Sequence, residues 1–87
     1  MITENLINKT AQRLYKNINL IDVFLEENKL NLPLDEYNEL IKIRENKKYF
    51  LVFLESSVRE NKVSQINFEK EIMPIITICD SVEKILT

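Results

Sequence analysis

Three stretches of the chain place apolar side chains at alternating steps of three and four residues. In the first, Ile7, Ala11, Leu14, Ile18, Ile21 and Leu25 follow steps of four, three, four, three and four. This is a heptad seam, the spacing at which side chains share one face of an α-helix. It predicts a helix over about Ile2 to Lys29, with Thr3 as its N-cap. The last stretch repeats the rule: Phe68, Ile72, Ile75, Cys79, Val82 and Leu86 step four, three, four, three, four. Pro74 falls inside that pattern, so the helix either kinks there or starts close enough for the proline to lie in its first turn.

The middle stretch, about Leu34 to Asn61, is less regular. Tyr37, Leu40, Ile41 and Ile43, then Phe50, Leu51, Leu54 and Val58, read as helix, but Arg44, Lys47 and Lys48 stand where apolar residues belong. Three readings follow. The helix runs on and these long side chains snorkel from the edge of the core. It breaks near Glu45 to Lys48. Or Leu40 to Arg44 and the apolar run Tyr49 to Leu54 are strands of a hairpin turning at Glu45 to Lys48. Asn28 to Leu34 reads as a first connector, with Pro33 entering the next helix and Asp35 and Glu36 near its positive end. Val63 to Asn67 reads as a second, with Ser64 or Asn67 capping the last helix.

Composition favours helix. The 87 residues contain no glycine and two prolines, and β-turns draw heavily on glycine for positive φ. The expected fold is therefore all-α: one domain over residues 1–87, an antiparallel three-helix bundle, with four helices if the second breaks near residues 45–48. The net charge of −2 is too balanced to signal nucleic-acid binding. No stretch reaches the ~18 apolar residues of a membrane span, and the polar residues among the first ten do not form a signal-peptide core. A cytoplasmic location is expected. Abundant asparagine, isoleucine and lysine, with AT-rich codons, point to a low-GC bacterium or its phages and plasmids.

Chemistry is sparse. There is no histidine, which removes the commonest general base and metal ligand. Without glycine there is no phosphate-cradling loop. Cys79, the single cysteine, lies on the apolar seam and reads as an inert core thiol. No catalytic residue, cofactor or metal is expected. Asp22, Glu26, Glu27, Asp35, Glu36 and Glu39 face only Lys29 over residues 22–39, a net −5, and form an acidic patch suited to a basic partner. Lys42, Arg44, Lys47 and Lys48 form the basic cluster, with Tyr49 and Phe50 beside it, but these aromatics run on into Leu51 to Leu54 and read as core. All-helical chorismate mutases are of this size and need neither histidine nor metal. The chain resembles them in its long first helix, in Arg44–Glu45 and in Asp80–Ser81–Val82. That resemblance implies Arg13 as one cation gripping a dicarboxylate, although Glu26 to Asn28 replace the later cations of that helix.

Some apolar groups are in excess. If Phe50, Leu51, Leu54 and Val58 face inward, then Tyr49, Val52 and Phe53 do not all do so, and Leu20 and Val23 fall off the first seam. These five are the candidate protein interface, covered by a homodimer partner or by another protein. The expected function is non-catalytic, stoichiometric binding of a protein, as in inhibitors, immunity proteins and antitoxins. A second reading rests on the pattern of Leu40 to Leu54 and Ile72 to Ile85, which resembles flagellar export chaperones and implies binding of flagellar subunit termini.

Overall fold

The computed structural model describes residues 3–86 as an up-down-up bundle of three helices: α1 (Glu4–Asn28), α2 (Leu34–Arg59) and α3 (Met73–Leu86). No strand occurs among the described residues. The hairpin reading of residues 40–54 is therefore overturned, and so is the break near residues 45–48: α2 runs unbroken through both. A helix satisfies its backbone within itself, whereas a lone hairpin without glycine has neither its preferred turn nor a third strand. The predicted start of α1 at Ile2 lies outside the described residues.

The caps are local chemistry. Thr3 Oγ1 accepts from the Leu6 amide at 3.2 Å and opens α1. At the far end the Asn28 side chain donates back to the Phe24 carbonyl at 2.9 Å. Asn61 does at the end of α2 what glycine usually does. Its φ is 57°, its amide donates to Val58 O (3.2 Å), and the Lys62 amide reaches back to Ser57 O (2.8 Å). Those paired bonds are a Schellman motif. A 3₁₀ turn at Val63–Gln65 follows.

Asn67, not Ser64, caps the last helix. Its Oδ1 accepts from the Lys70 amide at 2.9 Å, while Glu71 Oε2 accepts from the Asn67 amide at 2.7 Å. The reciprocal partner sits four residues on rather than the usual three, because the helix opens as a π turn, Phe68–Ile72. The Met73 amide donates to Phe68 O, five residues back. Pro74 follows at once. A proline in a helix removes one amide and crowds the carbonyl four residues earlier. The widened turn accommodates that ring, so Pro74 lies beyond the first turn without ending the helix.

The predicted seams form the core in two clusters. One gathers Ile7, Ala11, Leu14, Leu51, Leu54, Ile72, Ile75 and Cys79; the other gathers Ile21, Leu25 and Val82 with half-buried Tyr37, Leu40, Ile41, Ile43 and Leu86.

A left-handed residue with a side chain costs ~1–2 kcal/mol, with asparagine and glycine the tolerated exceptions. Asn61→Gly is expected to hold or raise the melting temperature, and Asn61→Val to lower stability by about 1–2 kcal/mol. Thermal melts by circular dichroism check this, and a neutral valine would mean that the turn is not held at positive φ.

Candidate functional site

Between the two apolar clusters lies a polar layer to which each helix contributes. From α1 come Arg13 and Asn17, from α2 Lys47, and from α3 Cys79, Asp80 and Glu83. Asn17 and Lys47 are fully buried. Arg13 Nε donates to Glu83 Oε2 at 2.9 Å, and its terminal nitrogen bonds Asp80 Oδ1 and, at 3.3 Å, Glu83 Oε1. Asn17 Nδ2 donates to Glu83 Oε2 and to the Arg13 carbonyl, both at 3.1 Å. These two acceptors fix the amide orientation, since a flip would set oxygen against oxygen. Asn17 Oδ1 is left buried without a hydrogen bond.

Lys47 Nζ donates to Cys79 Sγ at 3.7 Å, a weak acceptor for an ammonium. Burial pushes the Lys47 pKa below the ordinary lysine value, against the opposing pull of the thiol and of Glu83. Burial pushes the Cys79 thiol up, so it stays protonated at neutral pH. A protonated, enclosed thiol is a poor nucleophile. The hydrogen bond from Arg13 holds the Glu83 carboxyl below the usual carboxylate range.

The predicted basic cluster is not one surface. Lys47 is interior, neither snorkelling nor breaking α2, while Arg44 Nη1 reaches across to Asp22 at 2.9 Å and its other amino group to Glu45 at 3.3 Å. Lys42 and Lys48 are exposed. Beside Lys47, Ile43, Phe50, Ile78 and Val82 line an apolar cleft of about 280 Å³ between α2 and α3.

The candidate interface residues separate by exposure. Tyr49 is 74% exposed, Val52 64% and Val23 45%. Leu20 is half-buried, and half-buried Phe53 packs against the first core cluster. Tyr49 and Val52, one turn apart, share a shallow groove with Glu45 and Lys48. Tyr15, unremarked in the sequence, joins this side of the bundle by donating to Glu55 Oε1 at 2.6 Å. All six acidic-patch residues are exposed, at the end of the bundle where α1 hands over to α2. Among the described residues no group of three potential ligands is placed to hold a metal ion, and no helix is long and apolar enough to cross a membrane.

Comparison with models of protein families, with curated proteins and with solved structures finds no match to this chain.

Two titrations follow from the polar layer. Because the Lys47 pKa is depressed in the folded chain, the unfolded chain binds more protons between that lowered value and 10.5. Stability therefore rises as pH climbs through that window, and below it the desolvation penalty is constant. Lys47→Met removes the penalty. It is expected to be neutral to stabilising at pH 7, by up to about 2 kcal/mol, with the gap narrowing as pH rises through the window. Urea unfolding measures it, and a clear destabilisation at neutral pH would show that the ammonium's contacts outweigh its burial. Glu83 has the opposite character. Its stabilisation is fully present above 4.5 and is lost as pH falls through the lowered value. Glu83→Gln should flatten the acid limb below pH 4.5 and cost on the order of 1 kcal/mol or less at pH 7, because the pair is more than one third exposed. An unchanged acid limb would remove Glu83 from that role.

Proposed function

We propose that the chain is a non-catalytic module that binds another protein stoichiometrically, in the manner of inhibitors, immunity proteins and antitoxins. The observation that carries this reading is the outward face of α2. Tyr49 and Val52 stand one turn apart and largely exposed, bracketed by Glu45 and Lys48. Large apolar side chains ringed by charge on a small domain are what protein interfaces bury, and Tyr15 extends the face from α1 through its bond to Glu55.

The placement of the cations supports binding over a chorismate mutase type of chemistry. Gripping a dicarboxylate needs guanidinium groups turned to the ligand. Arg13 is engaged by Asp80 and Glu83, and Arg44 by Asp22 and Glu45. Using either would first require breaking ion pairs that join two helices.

Val52→Asp is the direct test, since Val52 is exposed and the change leaves the core intact. Phe53→Asp is less informative, because Phe53 packs against the core and its loss is expected to destabilise the fold. Wild-type chain immobilised on resin is expected to retain a protein from the native host's lysate that re-forms a one-to-one complex once purified. Val52→Asp and Tyr49→Asp, still helical by circular dichroism, should weaken that complex at least about ten-fold, or about 1.4 kcal/mol. Equal affinity of both variants would sink the assignment to this face. Concentration-dependent self-association that Val52→Asp abolishes would make the partner a second copy.

A further inference from the structure

At one tip of the bundle α1 ends, α2 begins and α3 ends. Phe24 from α1, Leu32 from the connector, Leu40 from α2, and Ile85 and Leu86 from α3 line an apolar groove of about 250 Å³, with Glu36 and Glu39 also on its lining. Ile85 is 77% exposed. The volume falls short of the ~300–1,000 Å³ of small-molecule pockets and suits one large side chain.

The two charged residues on the groove's lining, Glu36 and Glu39, are both acidic. Residues 22–39 hold six carboxylates and one lysine, a net −5 in a chain whose total is −2. Arg44 engages Asp22 and Lys29 engages Glu26. Glu27, Asp35, Glu36 and Glu39 make no ion pair among the described residues. The nearest cations along α2 and α3, Lys42 and Lys84, make none either.

Helix energetics accounts for part of this placement only. Asp35 and Glu36 lie in the first turn of α2, where carboxylates stabilise the positive end of the dipole. Glu26 and Glu27 lie in the last turn of α1, which carries no basic residue. Carboxylates there oppose the negative end of the dipole and weaken the helix. Glu39, beyond the first turn of α2, is left unexplained by capping. Negative charge on the lining of an open apolar groove, with Glu39 there outside any capping role, is complementary to one kind of occupant.

We propose that this tip is a second docking site, for a cationic amphipathic segment that seats one large apolar side chain in the groove and sets lysine or arginine against Glu36 and Glu39. The proposal rests on the chain being a binding module but uses a different surface from Tyr49 and Val52.

The probe is a fluorescein-labelled amphipathic peptide of leucine and lysine, titrated into the full chain by fluorescence polarisation at 150 mM salt. Exposed charges more than about 8 Å apart are screened under these conditions. Two control peptides replace leucine by serine or lysine by glutamate. Saturable one-to-one binding of the leucine–lysine peptide is expected, at least about ten-fold weaker for the serine peptide and undetectable for the glutamate peptide. Ile85→Asp and the pair Glu36→Lys with Glu39→Lys should each weaken it about ten-fold or more, and Val52→Asp should not change it. Amide shift mapping on the unaltered chain should place the peptide at Phe24, Leu32, Leu40 and Ile85, which keeps the test independent of how the variants fold. Equal binding of the serine peptide, insensitivity to Ile85→Asp, or shifts centred on Tyr49 and Val52 would each overturn the proposal. Capture of a host protein through Tyr49 and Val52 is read separately, so either surface can fail without the other.

Discussion

The buried polar layer constrains the rest of the bundle. Apolar seams alone specify a helix packing poorly, because sliding one helix by a turn sets leucine against isoleucine again. Asn17, Lys47 and Glu83 remove that freedom. The Asn17 amide finds one acceptor in its own helix, the Arg13 carbonyl, and its second only when α3 places Glu83 beside it. The Lys47 ammonium sits within reach of Cys79 and in the field of Glu83. A slip of one turn would set that amine against hydrocarbon, at a cost of several kcal/mol. The layer therefore divides the core into two apolar halves and ties their register together.

The same layer brings a weakness. Lys47 is held by a thiol rather than by a carboxylate in direct contact, and its desolvation is only partly compensated. Asn17 Oδ1 adds a second uncompensated group. A hydrophobic side chain of similar volume in place of Lys47 would bury as much surface without that penalty. Specificity of packing and stability thus pull in opposite directions at one residue, while the long seams on either side supply the surplus that lets the fold tolerate it.

The seams themselves were legible from spacing alone. Every apolar position of the first and third heptads is buried or half-buried. In α2 the series Tyr37, Leu40, Arg44, Lys47, Leu51, Leu54 and Val58 continues the three–four rhythm without a gap, so the unbroken helix was present in the periodicity. What hid it was residue type: a lysine in the seam reads as an interruption unless its partners on the other helices are known. Asn17 was missed for a related reason. It lies three residues from Leu14 and four from Ile21, a spacing as good as that of Ile18, so both turn toward the core, and Asn17 is the more deeply buried, beside Glu83. The candidate interface was legible in part, as excess apolar character on α2, but the division between exposed Val52 and core-packed Phe53 is set by helix rotation, which periodicity fixes only coarsely. Asn61 and Asn67 show how a chain without glycine closes its turns. One takes the left-handed position and the other caps a helix, both by short side chains that hydrogen-bond or fit locally.

The carboxylates at the tip and those in the layer obey different rules, and the difference separates folding from recognition. Glu83 and Asp80 are each matched by Arg13, and Asp22 by Arg44, so those acids join helices and their loss is felt by the fold. Glu27 and Glu39 make no ion pair among the described residues. Glu27, in the last turn of α1, opposes that helix's dipole, and Glu39 lines an apolar groove. At the tip, Arg44 offsets Asp22 and Lys29 offsets Glu26. The ion pairs of Arg13 and Arg44 join helices, whereas Glu36 and Glu39 make no ion pair among the described residues and line an apolar groove.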